Sequence, residues 1–162
     1  MVAKKVLLVG NFGVGKTSLI RRFVLNEFSE DYISTIGVRV SKKIVAYKNE
    51  TIKLMIWDVA GTSGNEIIPK AYFLGAHAAM FVFDVSREET YEDINQKLQV
   101  IRDLSNLKNI TVVGNKKDLL APEEVTALKD KIPVNIDLIT SAKENDNVED
   151  AFMQLTAQTL NL

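Results

Sequence analysis

Residues 5–24 have the sequence KVLLVGNFGVGKTSLIRRFV, and this stretch decides the fold. It begins with an apolar run typical of a buried strand and ends with an amphipathic pattern typical of a helix. Gly10, Gly13 and Gly15 lie between the two, where glycine lets the backbone curl closely around a bound group. Because several N–H groups then point inward at the start of a helix, the loop suits a polyphosphate. A strand, a phosphate-binding loop and a helix in this order predict an α/β protein.

Side chains of the same loop add a positive charge and a metal ligand. Lys16 is placed to reach the β and γ phosphates of a nucleotide, and the Thr17 hydroxyl is placed to bind Mg²⁺. An alternative is a glycine-rich turn that binds nothing, but the flanking strand and helix disfavour it. The residues expected to hold the phosphates are Gly13, Val14, Gly15, Lys16, Thr17 and Ser18.

A second polar motif, Asn115-Lys116-Lys117-Asp118, follows an apolar strand far downstream. The Asp118 carboxylate is suited to accept hydrogen bonds from the N1–H and the exocyclic amine of guanine, whereas adenine would leave it unpaired. The phosphate loop accepts any nucleotide, but this motif selects the base. Together the two motifs predict GTP or GDP as the ligand.

Length and composition fit one compact domain over residues 1–162. With 46% hydrophobic residues, the chain is able to bury a substantial core. A net charge of −1 gives no general attraction to nucleic acid or to anionic lipid, so neither partner is expected.

Several features predict a cytoplasmic monomer without a membrane span. The sequence has no cysteine, which excludes disulfides, thiolate metal sites and prenylation within this span. Val2 stands where myristoylation requires glycine, and no apolar run approaches membrane-spanning length. Peripheral membrane association would therefore depend on a tail outside this span.

Strands alternate with helical segments along the chain, as in a mostly parallel sheet with helices on both faces. The turn at residues 48–50 predicts one antiparallel hairpin. The six predicted strands are Lys5–Val9, Arg39–Tyr47, Thr51–Trp57, Ala78–Phe83, Ile110–Val113 and Asn135–Ile139. The predicted helices are Ser18–Val24, a short helix after the third strand, Tyr91–Leu104, one from Pro122 to before Pro133, and one containing Val148–Leu155.

The order of these motifs resembles the small GTPases of the Ras superfamily, essentially from end to end of the chain. The sequence WDVAG at Trp57–Gly61 matches their D-x-x-G element, Thr35 lies in a segment like their first switch, and Ser141–Lys143 matches their second guanine motif. Residues 32–38 (YISTIGV) and 72–77 (YFLGAH) are most similar to the Rab branch. The resemblance implies a P-loop G domain that acts as a molecular switch in signal transduction or vesicle trafficking.

The resemblance also implies a metal shell and a switch. Asp58 would hold Mg²⁺ through water, and the Gly61 N–H would meet the γ-phosphate because no Cβ blocks the approach. Thr35 would complete the metal shell only when the γ-phosphate is present, so that its loop would order with one nucleotide and not the other.

Further residues are implied around the base and the ribose. Asn115 would tie the surrounding loops together, the stem of Lys116 would lie along the base, and the Ala142 N–H would meet the guanine oxygen. The other residues implied around the nucleotide are Phe28, which would cover it edge-on, Tyr32, Ser141 and Lys143.

Two departures from the family bear on hydrolysis. Thr62 follows Gly61, at the position where relatives carry the glutamine that orients the attacking water. Phe12 stands where relatives carry a small residue beside the γ-phosphate, and its bulk would exclude water or an incoming arginine. We assign hydrolysis to Lys16, Thr35, Gly61 and Thr62, and expect it to be slow.

Two classes of function stay open. One is a regulatory GTPase of low intrinsic rate that depends on exchange factors, activating proteins and effectors. The other is a pseudo-GTPase adaptor that binds GTP without efficient hydrolysis. A P-loop ATPase or nucleoside kinase is disfavoured by Asp118 and by the absence of a substrate lid.

Four other residues have weaker interpretations. Trp57, Tyr72 and Phe73 resemble the effector patch of Rab proteins, and sheet core is an equally weighted alternative for them. His77 precedes a buried strand, so we expect it to be structural.

Overall fold

A computed structural model describes residues 1–29, 37–61 and 67–160. Its strands are Val2–Val9 (β1), Val38–Tyr47 (β2), Glu50–Val59 (β3), Ala78–Asp84 (β4), Thr111–Asn115 (β5) and Leu138–Ile139 (β6). Its helices are Lys16–Leu25 (α1), Lys70–Phe73 (α2), Ile94–Ser105 (α3), Pro122–Lys131 (α4) and Val148–Gln158 (α5). Within these ranges, no helix has the length and apolarity that crossing a membrane requires.

The strands form one six-stranded sheet in the order β2-β3-β1-β4-β5-β6. β2 pairs antiparallel with β3, and the other four neighbouring pairs are parallel. The predicted six-stranded, mostly parallel α/β fold with one antiparallel strand is therefore confirmed.

Two apolar clusters cover the two faces of the sheet. Side chains alternate along β1, so that Val6 and Leu8 pack with α1 and α5, while Leu7 and Val9 pack with α3 and α4. Because both faces are covered, β4 and the second half of β1, residues 6–9, are apolar almost throughout rather than alternating between apolar and polar.

The carboxyl ends of the parallel strands β1, β3, β4 and β5 meet at one edge of the sheet. From β1 the chain enters α1 on one face, whereas from β4 it enters α3 on the other face. Ligands of such sheets bind in the crevice that this reversal opens. The fold thus brings the loop after β1 close to the residues that follow β5.

The hairpin between β2 and β3 is tighter than the predicted turn at residues 48–50. Glu50 already belongs to β3 and pairs with Tyr47, so the turn consists of Lys48 and Asn49 alone. Both residues have positive φ, 46° and 66°. Two-residue hairpin turns of this kind need positive φ at both positions, because only then does their twist match that of the strands.

The predicted helix Tyr91–Leu104 begins instead at Ile94. Residues Glu88–Thr90 form a 3₁₀ turn, and Tyr91 leaves it with a non-helical φ of −137°. The Tyr91 ring packs edge-on against Phe83, with ring centroids 5.4 Å apart. Packing of Tyr91 on β4 therefore replaces the first helical turn that the apolar pattern predicted.

The predicted last strand, Asn135–Ile139, is reduced to Leu138–Ile139. The Val112 N–H donates to the Asp137 side chain (2.7 Å), and the Asp137 N–H donates to the Val112 carbonyl (2.9 Å). A side-chain oxygen thus takes a hydrogen bond that a strand carbonyl would otherwise accept, so regular pairing begins one residue later.

Phe152→Ala is expected to lower the free energy of unfolding by about 3–5 kcal/mol, because the lost ring leaves a cavity in the core. Phe152 is fully buried, and its ring stacks on Phe23 at 4.2 Å between centroids. Equilibrium urea denaturation measures the change. Val100→Ala, at a helical position that is 48% exposed, is the control and should change stability by less than about 0.5 kcal/mol. Equal stability of the two variants would contradict this core.

Candidate functional site

A cavity of about 290 Å³ opens at the carboxyl edge of the sheet. Its size lies near the lower end of the range for ligand pockets, roughly 300–1,000 Å³. Both sequence motifs contribute to its wall, although about a hundred residues of chain separate them. The predicted site residues that line it are Gly13, Gly15, Lys16, Thr17, Ser18, Phe28, Asp58, Gly61, Asn115, Lys116, Asp118, Ala142 and Lys143.

Five other predicted residues do not line this cavity or are not described. Val14 is fully buried in the apolar core, and Ser141 lies behind Asp118. Tyr32, Thr35 and Thr62 lie outside the residues that the structure describes.

The wall also contains five residues that were not predicted for the site: Arg21, Glu27, Ser29, Val59 and Leu119. The sequence held a signal for two of them. Arg21 lies on α1 three positions after Ser18, and such residues are neighbours on one helix face. Val59 lies inside the motif WDVAG, directly after Asp58. The other three have no such relation to a motif residue.

The glycines of the phosphate loop are required by conformation and by space. Gly13 and Gly15 have φ of 76° and 99°, in the left-handed region that side chains rarely adopt. A Cβ at Gly15 would also overlap the Asn115 side-chain amide. The close approach of these two residues joins the phosphate loop to the second motif.

Lys16 is a buried cation at the floor of the cavity, with only 6% of its surface exposed. Its ammonium donates to the carbonyls of Gly10 (2.9 Å) and Asn11 (3.0 Å). Burial lowers the pKa of Lys16 to about 8, and the negative charge of Asp58 partly opposes that shift. Its third N–H has no partner among the described residues, so an anion in the cavity would satisfy it and stabilise its charge.

Asn115 connects three loops through one side chain. Its Nδ2 donates to the Val14 carbonyl (3.0 Å), and its Oδ1 accepts from the Thr140 hydroxyl (3.0 Å) and the Ala142 N–H (3.3 Å). Asn115 is almost completely buried, so these bonds are shielded from water. The phosphate loop and the loop after β6 are therefore held at a fixed distance.

The Asp118 carboxylate is oriented by the loop after β6. Its Oδ1 accepts from the Ser141 hydroxyl at 2.7 Å, and the backbones of Ser141 and Asp146 form a two-bond bridge. Lys117 pairs with Asp146 at 2.7 Å and ties that bridge back to the second motif. Within the described part of the chain, the other Asp118 oxygen has no donor, which leaves it for a ligand with N–H groups.

Arg22 supports the same loop from α1, a role that no sequence motif indicated. Its guanidinium donates to the carbonyls of Ala142 and Lys143, both at 2.9 Å. The fork geometry of arginine suits two adjacent carbonyls. The loop that carries the Ala142 N–H is thus held by Asn115 on one side and Arg22 on the other.

The residues assigned to the metal lie side by side. The Thr17 hydroxyl donates to Asp58 Oδ2 at 2.5 Å, and Asp58 is almost fully buried. Among the described residues, no group of three or more His, Cys, Asp or Glu side chains is placed to hold a metal. Magnesium commonly binds through one or two protein oxygens together with phosphate oxygens and water, and Thr17 with Asp58 fits that donor set.

Gly61 packs directly against the phosphate loop. A Cβ at this position would overlap the backbone of Phe12. The Phe12 side chain also lines the cavity, and 46% of its surface is exposed. Glycine at position 61 is therefore needed for contact between two protein segments, in addition to any approach to a phosphate.

The aromatic residues outside the cavity divide between core and surface. Phe73 is buried in the core, as the alternative interpretation stated. Trp57 and Tyr72 are half-buried with ring centroids 6.4 Å apart, and the Lys5 ammonium lies 3.6 Å from the Trp57 ring centroid. The His77 ring accepts the Lys5 backbone N–H at Nδ1 (3.0 Å), and the His77 backbone N–H donates to the Lys5 carbonyl (2.8 Å), which is a structural link just before β4.

Asn115→Ala is expected to lower the free energy of unfolding by about 3 kcal/mol, because three largely buried hydrogen bonds are lost. Urea denaturation without added ligand measures the change. Asn95→Ala, at an exposed position of α3, is the matched control and should leave stability nearly unchanged. An Asn115→Ala variant as stable as the control would show that this side chain does not hold the loops together.

Comparison with known proteins agrees with this geometry. Residues 5–161 match the Ras family. Ras-related protein Rab-1A of Dictyostelium discoideum is 40% identical over 163 aligned residues, which cover 97% of this chain and 80% of the relative. Ras-related protein RABD2a of Arabidopsis thaliana is 42% identical over 159 residues, which cover 94% of this chain and 78% of the relative. The chain therefore belongs to the Ras family, as a Rab-like small GTPase.

Proposed function

We propose that residues 1–162 form one G domain that binds GTP and GDP with Mg²⁺, hydrolyses GTP slowly and signals through its two switch segments. The observation that carries this proposal is the convergence of two motifs on one cavity. A buried lysine lies at one end of that cavity and an oriented carboxylate at the other. Few ligands other than a guanine nucleotide combine a polyanion with a base that presents paired N–H donors.

At the phosphate end, Lys16 would bind the β and γ phosphates. Burial makes its charge costly, as the lowered pKa of Lys16 indicates. Phosphate oxygens would supply the missing negative charge and accept its third N–H. The backbone N–H groups from Gly13 to Ser18 would bind the remaining oxygens at the start of α1.

At the base end, Asp118 would accept the N1–H and exocyclic amine of guanine. The bond from Ser141 fixes the carboxylate plane before the base arrives, so little ordering is required on binding. The Ala142 N–H, which donates to Asn115 Oδ1 at a distance of 3.3 Å, would also meet the guanine oxygen. Lys116, Lys143 and Phe28 would flank the nucleotide.

The switch proposal depends on Thr17, Asp58 and Gly61. Thr17 and Asp58 would hold Mg²⁺, which would neutralise charge on the β and γ phosphates. Gly61 lies against Phe12 and begins the segment that would respond to the γ-phosphate. Tyr32 and Thr35 would complete the site from the first switch, as the family resemblance implies.

Slow hydrolysis is supported by Phe12 and Thr62. Phosphoryl transfer asks the protein mainly to orient the attacking water and to stabilise charge. The exposed Phe12 ring stands on the cavity wall, and threonine at position 62 lacks the reach and the amide of glutamine. Membership of a GTPase family favours slow hydrolysis over the pseudo-GTPase adaptor, which binds GTP without efficient hydrolysis.

Partners and location belong to the same proposal. Exchange factors, activating proteins and effectors would act on a monomer in the cytoplasm, and the half-buried Trp57 and Tyr72 would contribute to effector binding. Vesicle trafficking is the process that the similarity to Rab proteins favours. Membrane association would require a lipid anchor outside residues 1–162.

Asp118→Asn is expected to weaken GDP binding and to shift preference toward xanthosine diphosphate, whose 2-position carries an oxygen instead of an amine. A hydrogen bond to a charged group contributes about 1.5–3 kcal/mol, so the loss of GDP affinity should be about tenfold or more. Competition with a fluorescent guanine nucleotide measures both affinities. Asp130→Asn, at an exposed position of α4, is the control. Unchanged GDP affinity in Asp118→Asn would overturn the guanine assignment.

Thr62→Gln is expected to raise the single-turnover rate of GTP hydrolysis on the order of tenfold, because glutamine orients the attacking water. Adding Phe12→Gly should raise the rate further if the ring excludes water. Chromatographic separation of GTP and GDP over time gives the rates, and Thr62→Ala is the control. If the unmodified protein hydrolyses GTP fast and Thr62→Ala does not change that rate, another group positions the water.

A further inference from the structure

The turn Asp84–Thr90, which starts at the last residue of β4, contacts residues that line both ends of the cavity. Asp84 Oδ2 lies 3.0 Å from the ammonium of Lys116, which lines the base end. Arg87 Nη1 donates to the carbonyl of Phe12 in the phosphate loop at 3.1 Å. Neither Asp84 nor Arg87 lines the cavity itself, so any effect of theirs on a ligand passes through Lys116 and Phe12.

This turn is held by its own hydrogen bonds. The Thr90 hydroxyl accepts the Asp84 N–H (2.9 Å) and lies 2.7 Å from the Arg87 carbonyl, to which it donates. Ser86 donates its N–H (2.9 Å) and its hydroxyl (2.6 Å) to Asp84 Oδ1. Asp84 and Thr90 are fully buried. The turn therefore presents the Asp84 carboxylate and the start of the Arg87 side chain in fixed positions.

On the phosphate side, Arg87 packs against the peptide that joins Phe12 and Gly13. A Cβ at Gly13 would lie 3.2 Å from Arg87 Nη1, so the guanidinium lies next to this glycine. Glu89 accepts from Arg87 Nε at 3.0 Å and orients the guanidinium. Gly61 packs on the Phe12 backbone as well. The Phe12 segment is thus held between two other parts of the chain, the turn that carries Arg87 and the residue Gly61.

On the base side, Asp84 determines where the Lys116 ammonium lies. The two bonds from Ser86 fix the carboxylate plane, and the second oxygen pairs with Lys116. Among the described residues, the Lys116 ammonium has no other partner. Because one end of the side chain is anchored, its aliphatic stem is held along the cavity wall.

We propose that the turn Asp84–Thr90 is a positioning element for the nucleotide: Arg87 holds the phosphate loop through the Phe12 carbonyl, and Asp84 holds the base-flanking Lys116 through its ammonium. The inference rests on the proposed function, since it concerns the same cavity. It adds two positioning residues that belong to none of the nucleotide motifs. It also separates their effects, because one acts on the phosphates and the other on the base.

Two variants test the two parts of this proposal, Arg87→Gln for the phosphate side and Asp84→Asn for the base side, with GDP and GMP as probes. Arg87→Gln should speed GDP dissociation about fivefold, the equivalent of one exposed charged hydrogen bond, and leave GMP affinity unchanged. The reason is that GMP lacks the β-phosphate that the Phe12 segment would contact. Asp84→Asn should weaken the binding of GDP and of GMP by the same factor, because Lys116 would lie along the base that both share.

Lys131→Gln is the matched control. It breaks the 3.2 Å ion pair between Lys131 and Glu88, which is part of the same turn but faces solvent, and should change neither affinity. Arg87→Lys retains a donor for the Phe12 carbonyl and should restore slow GDP dissociation. The melting temperatures of all variants, measured without nucleotide, separate a positioning role from a loss of stability. Because the Arg87 side chain is partly exposed, its substitution is not expected to unfold the protein.

Equal weakening of GMP and GDP binding by Arg87→Gln would overturn the inference. Changes in affinity that follow the melting temperatures of the four variants would overturn it as well. If the unmodified protein binds GDP tightly and Arg87→Gln does not change the rate of GDP dissociation, this inference is overturned and the proposed function is not. Failure of the unmodified protein to bind GDP would instead overturn the proposed function.

Discussion

The hydrogen bonds of the Asn115 side chain hold the site together. One amide group joins the phosphate loop, the end of β5 and the loop after β6, and its burial keeps water from competing for these bonds. Gly15 has to be glycine partly because the Asn115 amide occupies the space of a Cβ. The distance between the phosphate end and the base end of the cavity therefore depends on this contact.

The charges around this framework are arranged for a ligand with a polyanionic end and a hydrogen-bonding end. Lys16 is buried with a lowered pKa, and Asp118 keeps one oxygen without a donor in the described part of the chain. The Lys16 charge is expensive to bury alone, whereas Asp118 is only half-buried, and each would be compensated by one end of the same nucleotide. Residues behind the wall, such as Arg22 and Arg87, bind backbone carbonyls of the loops and so fix their shape.

The sequence was sufficient to predict the fold and to identify motif residues that the fold brings to one cavity, because apolar periodicity and contiguous motifs are local signals. It was not sufficient to predict the element ends. The Asp137 side chain competes with strand pairing at β6, and the packing of Tyr91 on Phe83 displaces the start of α3. The supporting residues were missed for a related reason: Arg22 contacts a loop about 120 positions away, and only the folded chain brings them together.

One cavity is expected to bind both the phosphates and the guanine base of the same nucleotide. The most direct test is titration calorimetry of the nucleotide-free protein with GDP and with ADP, in Mg²⁺. A site whose half-buried, oriented carboxylate requires N–H donors from the ligand should prefer GDP by about a thousandfold or more. Comparable affinities for the two nucleotides would show that Asp118 does not read the base, and no binding of either would contradict the account as a whole.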